Sequence, residues 1–143
     1  HKQYDLNFIN TSEITDMSKL FMNCKYDFDI SDWDVSNVTD MNHMFYDCDN
    51  FNCDLSKWNV SKVVNMFSTF SSCKKFKGKG LENWDVSAVT DMHYMFYECE
   101  NLNCDLSDWD VSFVSHVGWT FYRCDKMTIP KWYMRIMNAT KYN

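Results

Sequence analysis

Apolar positions along the chain follow two alternating rhythms. From Val38 the apolar residues Val38, Met41, Met44, Phe45 and Cys48 step by three and four, the spacing of one helical face. Ser36 and Thr39 sit upstream where helix N-caps belong, and Asp40 suits the positive end of a helix dipole. A short helix or helical turn is therefore predicted over about 39–48. Phe51, Cys53 and Leu55 then alternate with Asn52 and Asp54, the period of an extended segment with one buried face. After a polar Ser56-Lys57 corner, Trp58 and Val60 alternate again.

The same succession recurs. Similar blocks begin near Ser12, Ser36, Ser61, Ser87 and Ser112, with steps of 24, 25, 26 and 25 residues. Cys24, Cys48, Cys73, Cys99 and Cys124 repeat with the same steps; Trp33, Trp58, Trp84 and Trp109 mark a third column, and Met41, Met66 and Met92 a fourth. A unit of this size cannot bury its own apolar face, so it must stack on its neighbours. The predicted fold is an α/β solenoid, leucine-rich-repeat-like, with about 25 residues per coil and four to five coils. The Cys, Trp and Met columns become structural ladders, and Met44 and Met95 are expected to be buried. The longest Cys-to-Trp interval carries Gly78 and Gly80, suiting a bulged loop. The third block has Asn65-Met66-Phe67 and Thr69, and the fifth Val114-Ser115-His116-Val117; these departures predict a face that drifts at the surface.

Residues 1–129 make up the repeat region, with an incomplete first coil in which Leu6 and Ile9 stand where Ile30 and Trp33 stand one repeat later. The register is lost after Met127. Thr128-Ile129-Pro130 places Pro at a helix N1 position, and Trp132, Ile136 and Met137 share a face. Residues 130–143 are therefore read as a C-terminal capping helix, through about Ala139, and a tail. The cap turns Trp132 and Ile136 onto Phe121 and Met127.

Composition narrows the function. The chain has 143 residues, 45% hydrophobic and 17% aromatic, with only 3 Gly and 1 Pro; this excludes disorder and collagen-like structure. The net charge of −6 argues against nucleic acid as a partner. No apolar run is long enough to span a membrane.

The blocks at 33–56 and 84–107 read W-D-V-S-x-V-T-D-M-x-x-M-F-Y-x-C-x-N-x-N-C-D-L-S. This pattern resembles the BspA-type leucine-rich-repeat surface proteins, and more closely a variant of bacterial surface lipoprotein repeats with a W-D-V-S-x-V-T-D-M core. The resemblance covers roughly residues 10–127. It implies a solenoid in surface proteins that adhere to or recognise macromolecules, and it implies no catalytic residues.

Each chemical constellation has a structural alternative. Seven cysteines cannot all pair within one chain. The five-member column reads best as buried thiols, while Cys48/Cys53 and Cys99/Cys104 admit local disulfides in an oxidising compartment. Four converging zinc ligands are not expected, because Cys53 and Cys104 lie two coils apart. Asp16, Asp40 and Asp91 form a row completed by Asn65 and His116; Asp34, Asp85 and Asp110 form another with Asn59. Calcium binding is weighed against Asx turns, and the turns are favoured because the Gly-rich calcium repeat is absent. The threonine row at 15, 39 and 90, with Ser115, reads as capping. His1, His43, His93 and His116 show no fixed period, and no nucleophile set or phosphate loop is present.

No catalytic, cofactor or metal residues are assigned. The expected function is a non-catalytic repeat scaffold for protein–protein recognition or adhesion, at a cell surface or extracellular. The alternative is an architectural subunit of a larger assembly, such as a virion, a surface layer or a cytoplasmic particle. The expected partner is a protein or surface macromolecule. Candidate contact residues are those that vary between coils: His43, Lys57, Lys62, Tyr94, Phe113 and Trp119.

Overall fold

The structure, a computed structural model, describes residues 2–141. Its architecture is not the expected α/β solenoid of four to five coils. The described residues contain one α-helix and one two-stranded parallel sheet. Strand β1 (Gln3–Asp5) pairs with β2 (Asp27–Asp29), Gln3 opposite Asp27. Helix α1 spans Lys131–Lys141, and a single 3₁₀ turn spans Leu81–Asn83. Residues 39–48 and their equivalents are turns, and 51–55 carries no strand.

Backbone hydrogen bonding explains why no helix forms over 39–48. The amides of Met41, His43, Phe45 and Asp47 donate to the carbonyls of Asn65, Phe67, Thr69 and Ser71 in the next block, at 2.8–3.0 Å. Between them, Met44, Tyr46 and Cys48 donate to carbonyls three residues back, and Asn42 to the Asp40 carboxylate. An α-helix would spend every amide on its own carbonyls; here alternate amides are given to a neighbour. The pattern recurs from Met17, Met66 and Met92.

The geometry requires a left-handed residue at the third position of each of two successive turns. His43 (φ 55°) and Asp47 (φ 58°) hold these places, and so do Lys19 and Asn23, Ser68 and Ser72, Tyr94 and Glu98, and Trp119 and Arg123. Turns with positive φ there ordinarily favour Gly or Asn. The spacing of three and four is that of the turn corners: Met41, Met44, Phe45 and Cys48 are all fully buried. Ser36 and Thr39 therefore cap no helix. Ser36 donates to the Asp34 carboxylate, and the Thr39 hydroxyl to the Thr15 carbonyl one block earlier.

The extended reading fails for a related reason. Phe51, Cys53 and Leu55 are buried in alternation with exposed Asn52, but the ladder is sparse. Leu55 donates to the Lys79 carbonyl, while the Lys77 amide is met by the Asn52 side chain. The glycine-bearing interval packs tightly: Gly80 is left-handed (φ 94°), and a Cβ there would come within 2.2 Å of the Ser56 nitrogen.

Side-chain columns form the core. Phe21, Phe45, Phe70, Phe96 and Phe121 stack at 5.3–5.8 Å between ring centres. Phe28, Phe51 and Phe76 form a second stack beside it. In the tryptophan column each indole N–H donates to a carbonyl of the preceding block: Trp33 to Leu6, Trp58 to Ile30, Trp84 to Leu55 and Trp109 to Leu81. The thiols of Cys48, Cys73, Cys99 and Cys124 donate to the carbonyls of Phe21, Phe45, Phe70 and Phe96, at 2.9–3.0 Å. Met44 and Met95 are fully buried. Thr69 and Thr120 are not a drifting surface: both are fully buried, in the column of Met44 and Met95, and their hydroxyls donate to the carbonyls of Met41 and Met92.

Helix α1 starts after Pro130, whose fixed φ suits the first helical turn. Its Trp132 is buried and continues the tryptophan column, donating to the Leu106 carbonyl and stacking 6.3 Å from Trp109. Trp132 and Tyr133 also meet Phe121, at 5.9 and 5.2 Å, while Ile136 is half-buried. Residues 142 and 143 of the expected tail lie outside the described residues.

Three consequences are measurable. Trp58→Phe strips the buried Ile30 carbonyl of its donor and should cost about 1–3 kcal/mol in urea denaturation. Glu98→Val should be less stable than Glu98→Gly by about 1–2 kcal/mol, because the left-handed position penalises Cβ and most of all a branched one. Burial pushes the Cys48, Cys53 and Cys124 thiols up to about 12, and Cys73 and Cys99 well above the normal value. An unfolded thiol ionises near pH ~8.5, so the unfolded chain releases protons first and stability should fall as pH rises above about 9. Thermal melting between pH 7 and 10.5 tests this; an unchanged midpoint would refute it.

Candidate functional site

Of the two left-handed positions in each block, all but Ser68 are exposed or half-buried. The first holds Lys19, His43, Ser68, Tyr94 and Trp119 in successive blocks. Three of the six candidate contact residues, His43, Tyr94 and Trp119, thus fall into one column. Immediately before the last four of these positions stand Asn42, Phe67, His93 and Gly118, and three residues after them stand Tyr46, Ser71, Tyr97 and Tyr122.

These columns join into an aromatic strip. Phe67 lies 5.1 Å from the His43 ring and 5.9 Å from Tyr94. Tyr94 meets Tyr97 at 5.4 Å, Tyr97 stacks on Tyr122 at 4.9 Å, and Trp119 stands edge-on to Tyr122 at 5.3 Å. The Arg123 guanidinium lies 5.4 Å from the Tyr122 ring centre, within cation–π range. Trp119 remains 53% exposed. The strip offers ring faces, phenol hydroxyls and imidazole nitrogens on a backbone tied to the adjacent block on one or both sides.

Histidines border it. His93 sits over Gly118, where a Cβ would come within 2.8 Å of its ring. His93 also lies 5.2 Å from His116 and places Nδ1 3.3 Å from the Asp91 carboxylate. Burial, followed by nearby Lys19, lowers the pKa of His43 and so favours its neutral form. His1 lies outside the described residues.

The other three candidates stand elsewhere. Lys57 is exposed and pairs with Asp32 at 2.7 Å. Lys62 donates to Asn37 in its own column, which also contains Phe113, 70% exposed. The sequence reading missed Phe67, His93, Tyr97, Tyr122 and Arg123. Their signal was available: all but Arg123 occupy the variable positions of D-M-x-x-M-F-x, where a helix would have scattered them around its surface.

The acidic rows are turn-forming. Asp16, Asp40, Asn65, Asp91 and His116 are joined by successive parallel bridges. The carboxylates or amides of the first four accept the backbone amide two residues on. Asp34, Asn59, Asp85 and Asp110 do the same for the following serines. The serine hydroxyl, and then its amide, hold Asp34, Asp85 and Asp110 below the usual carboxylate range. The threonine row is a cross-block ladder: Thr39 donates to Thr15, Thr90 to Val64, and Ser115 to Thr90 through backbone amides.

All seven cysteines are free. Cys48 is engaged by Phe21, and Cys53 by Asp29 and Asp54, so the two thiols of that C-x4-C pair face different acceptors. A cleft of about 1100 Å³ beside α1 is lined by Cys104, Asp105, Pro130, Trp132 and Arg135, among others. Burial, then Glu82 and Asp105, push the Cys104 thiol up to about 12, so it is a poor nucleophile at neutral pH. Among the described residues no three His, Cys, Asp or Glu side chains converge to hold a metal ion, and no helix is long and apolar enough to cross a membrane.

No curated protein and no solved structure matches the chain. A family model described as "Mycoplasma protein of unknown function, DUF285" matches it twice, over residues 1–80 and 69–143, and the two matches together span the whole sequence. By that match, the chain belongs to the DUF285 family of Mycoplasma proteins.

Proposed function

We propose that this chain is a non-catalytic recognition module, acting at a cell surface or extracellularly, whose contact surface is the aromatic strip centred on Tyr94, Trp119 and Tyr122. The observation that carries the reading is the placement of Tyr94 and Trp119 on left-handed turns, with their rings joined through Tyr97 and Tyr122. Aromatic side chains carry much contact energy at little entropy cost, because they have few rotatable bonds. Here the backbone beneath them is also tied to the adjacent block on one or both sides. The likeness of the W-D-V-S-x-V-T-D-M pattern to BspA-type surface proteins supports adhesion or protein recognition as the activity. The partner proposed is a protein or other surface macromolecule; with net charge −6, nucleic acid is disfavoured.

Binding of the labelled chain to intact cells and to their solubilised surface proteins tests the strip. Tyr94→Ala with Trp119→Ala should weaken binding at least ~30-fold, the loss of about 2 kcal/mol expected of an aromatic hot spot. Lys62→Ala with Phe113→Ala should change it less than about threefold. Retained affinity in the first variant, with an unaltered melting temperature, would exclude the strip as the contact surface.

A further inference from the structure

Charge is unevenly placed along this chain. The net charge is −6, yet Lys74, Lys75, Lys77 and Lys79 crowd into the long Cys-to-Trp interval of the third block. Lys79 pairs with Asp54 at 3.4 Å. Among the described residues no carboxylate lies within ion-pair distance of Lys75 or Lys77. Both line a cavity of about 490 Å³, together with Lys126 and with Asn50, Asn52 and Asn101. Asp27 adds a carboxylate to its wall. Through Lys77 this cavity meets a second, of about 450 Å³, which meets the cleft beside α1 through Asn103 and Asp105. The result is a trough that shares no lining residue with the aromatic strip.

The repeat sets the order of the groups. Two residues after the column cysteine, the second to fifth blocks carry Asn50, Lys75, Asn101 and Lys126, so amide and ammonium alternate from block to block. Successive blocks are joined by parallel bridges, a step of about 4.8 Å, which places the two lysines roughly 10 Å apart. The amides are held in position. Asn50 and Asn101 each donate at 2.6 Å to a backbone carbonyl of the preceding block, those of Lys25 and Lys74. Lys126 donates to the Asn101 oxygen at 2.6 Å, and the Asn52 oxygen accepts the Lys77 backbone amide. The Asn50 oxygen and the Asn52 nitrogen have no partner among the described residues. They offer an acceptor and a donor side by side, and hydroxyl groups need both.

We propose that this trough binds an extended acidic glycan, one with a carboxylate on every other sugar. A sugar unit in an extended chain is close in length to one step between blocks. An acid on alternate sugars therefore meets a lysine in alternate blocks, and the sugars between meet asparagine. A nucleic acid fits poorly. No aromatic ring lines the cavity of Lys75 and Lys77 to stack a base, and a phosphate on every unit would set charge against Asp27 and Asp105. An acidic peptide would add to a strand edge through main-chain hydrogen bonds, and residues 51–55 form no strand. The trough is separate from the aromatic strip, and its role does not depend on the strip's.

Calorimetric titration of the intact chain at low salt tests this. The probes are oligosaccharides of hyaluronan and of heparosan, each with one carboxylate per disaccharide. The comparators are their carboxyl-reduced forms, poly-glutamate, and a single-stranded oligonucleotide of equal charge. At least one glycan should bind, more weakly as salt rises, and its carboxyl-reduced form should not. Lys75→Gln with Lys77→Gln should weaken binding about fivefold or more, the loss of two exposed ion pairs. Lys126→Gln, in another block, is the second variant and should weaken it about twofold. Lys57→Gln with Lys62→Gln makes the same change in net charge away from the trough and should alter binding less than about twofold. The melting temperatures of all three variants should match the parent's. The proposal is overturned if neither glycan binds, or if the two double variants weaken binding equally. Poly-glutamate or the oligonucleotide binding as tightly as the glycan would also overturn it, by assigning the trough to an acidic peptide or a nucleic acid.

Discussion

Everything in this molecule depends on how the backbone amides are divided. In each repeat, alternate amides close a turn locally and alternate amides cross to the next block. Neither share alone would hold. A chain of isolated three-residue turns is too short to be stable in water, just as short helices are marginal. Four cross-block bonds need a backbone already bent so that every second amide points the same way. Two left-handed residues per block provide that bend, and ten non-glycine side chains accept the strain. The strain, on the order of 1–2 kcal/mol for each such residue, is tolerable because buried amides left without partners would cost as much or more.

The side chains then lock the spacing in the opposite sense. Trp and Cys donate backward, to carbonyls of the preceding block, while the turn amides donate forward. A block that slid along its neighbour would break both sets together. The buried threonines show how strict the column is: Thr69 and Thr120 replace a larger apolar residue without leaving an unpaired hydroxyl.

What could be read from the sequence follows from this division. Burial depends on side-chain spacing, and spacing was visible: Met41, Met44, Phe45, Cys48, Phe51 and Leu55 all lie inside. The bridged row of Asp16, Asp40, Asn65, Asp91 and His116 followed from aligning the repeats. The secondary structure did not follow, because a step of three and four describes turn corners as well as a helical face. Nothing in His43 or Trp119 announces a left-handed backbone, where Gly or Asn would have done so. The fifth tryptophan was hidden for a different reason: Trp132 stands 23 residues after Trp109, on a helix, and only its bond to Leu106 shows that it continues the column. The candidate site was half visible. Variation between blocks singled out His43, Tyr94 and Trp119, but their grouping with Phe67 and Tyr122 required knowing which way the turns face.

The direction of the cross-block bonds has an electrostatic result. In the turn region four amides per interface point toward the C-terminal end, and one or two, such as Thr39 to Thr15, point back. Peptide dipoles that an α-helix would align along a single continuous rod are aligned here across separate segments of chain. The sense is reversed relative to a helix running the same way: the carbonyls of the first block form a negative pole, and the amide side of the last block, beside α1, a positive one. In a chain of net charge −6, this alignment adds a direction to the molecule's field that the side-chain charges alone do not give it.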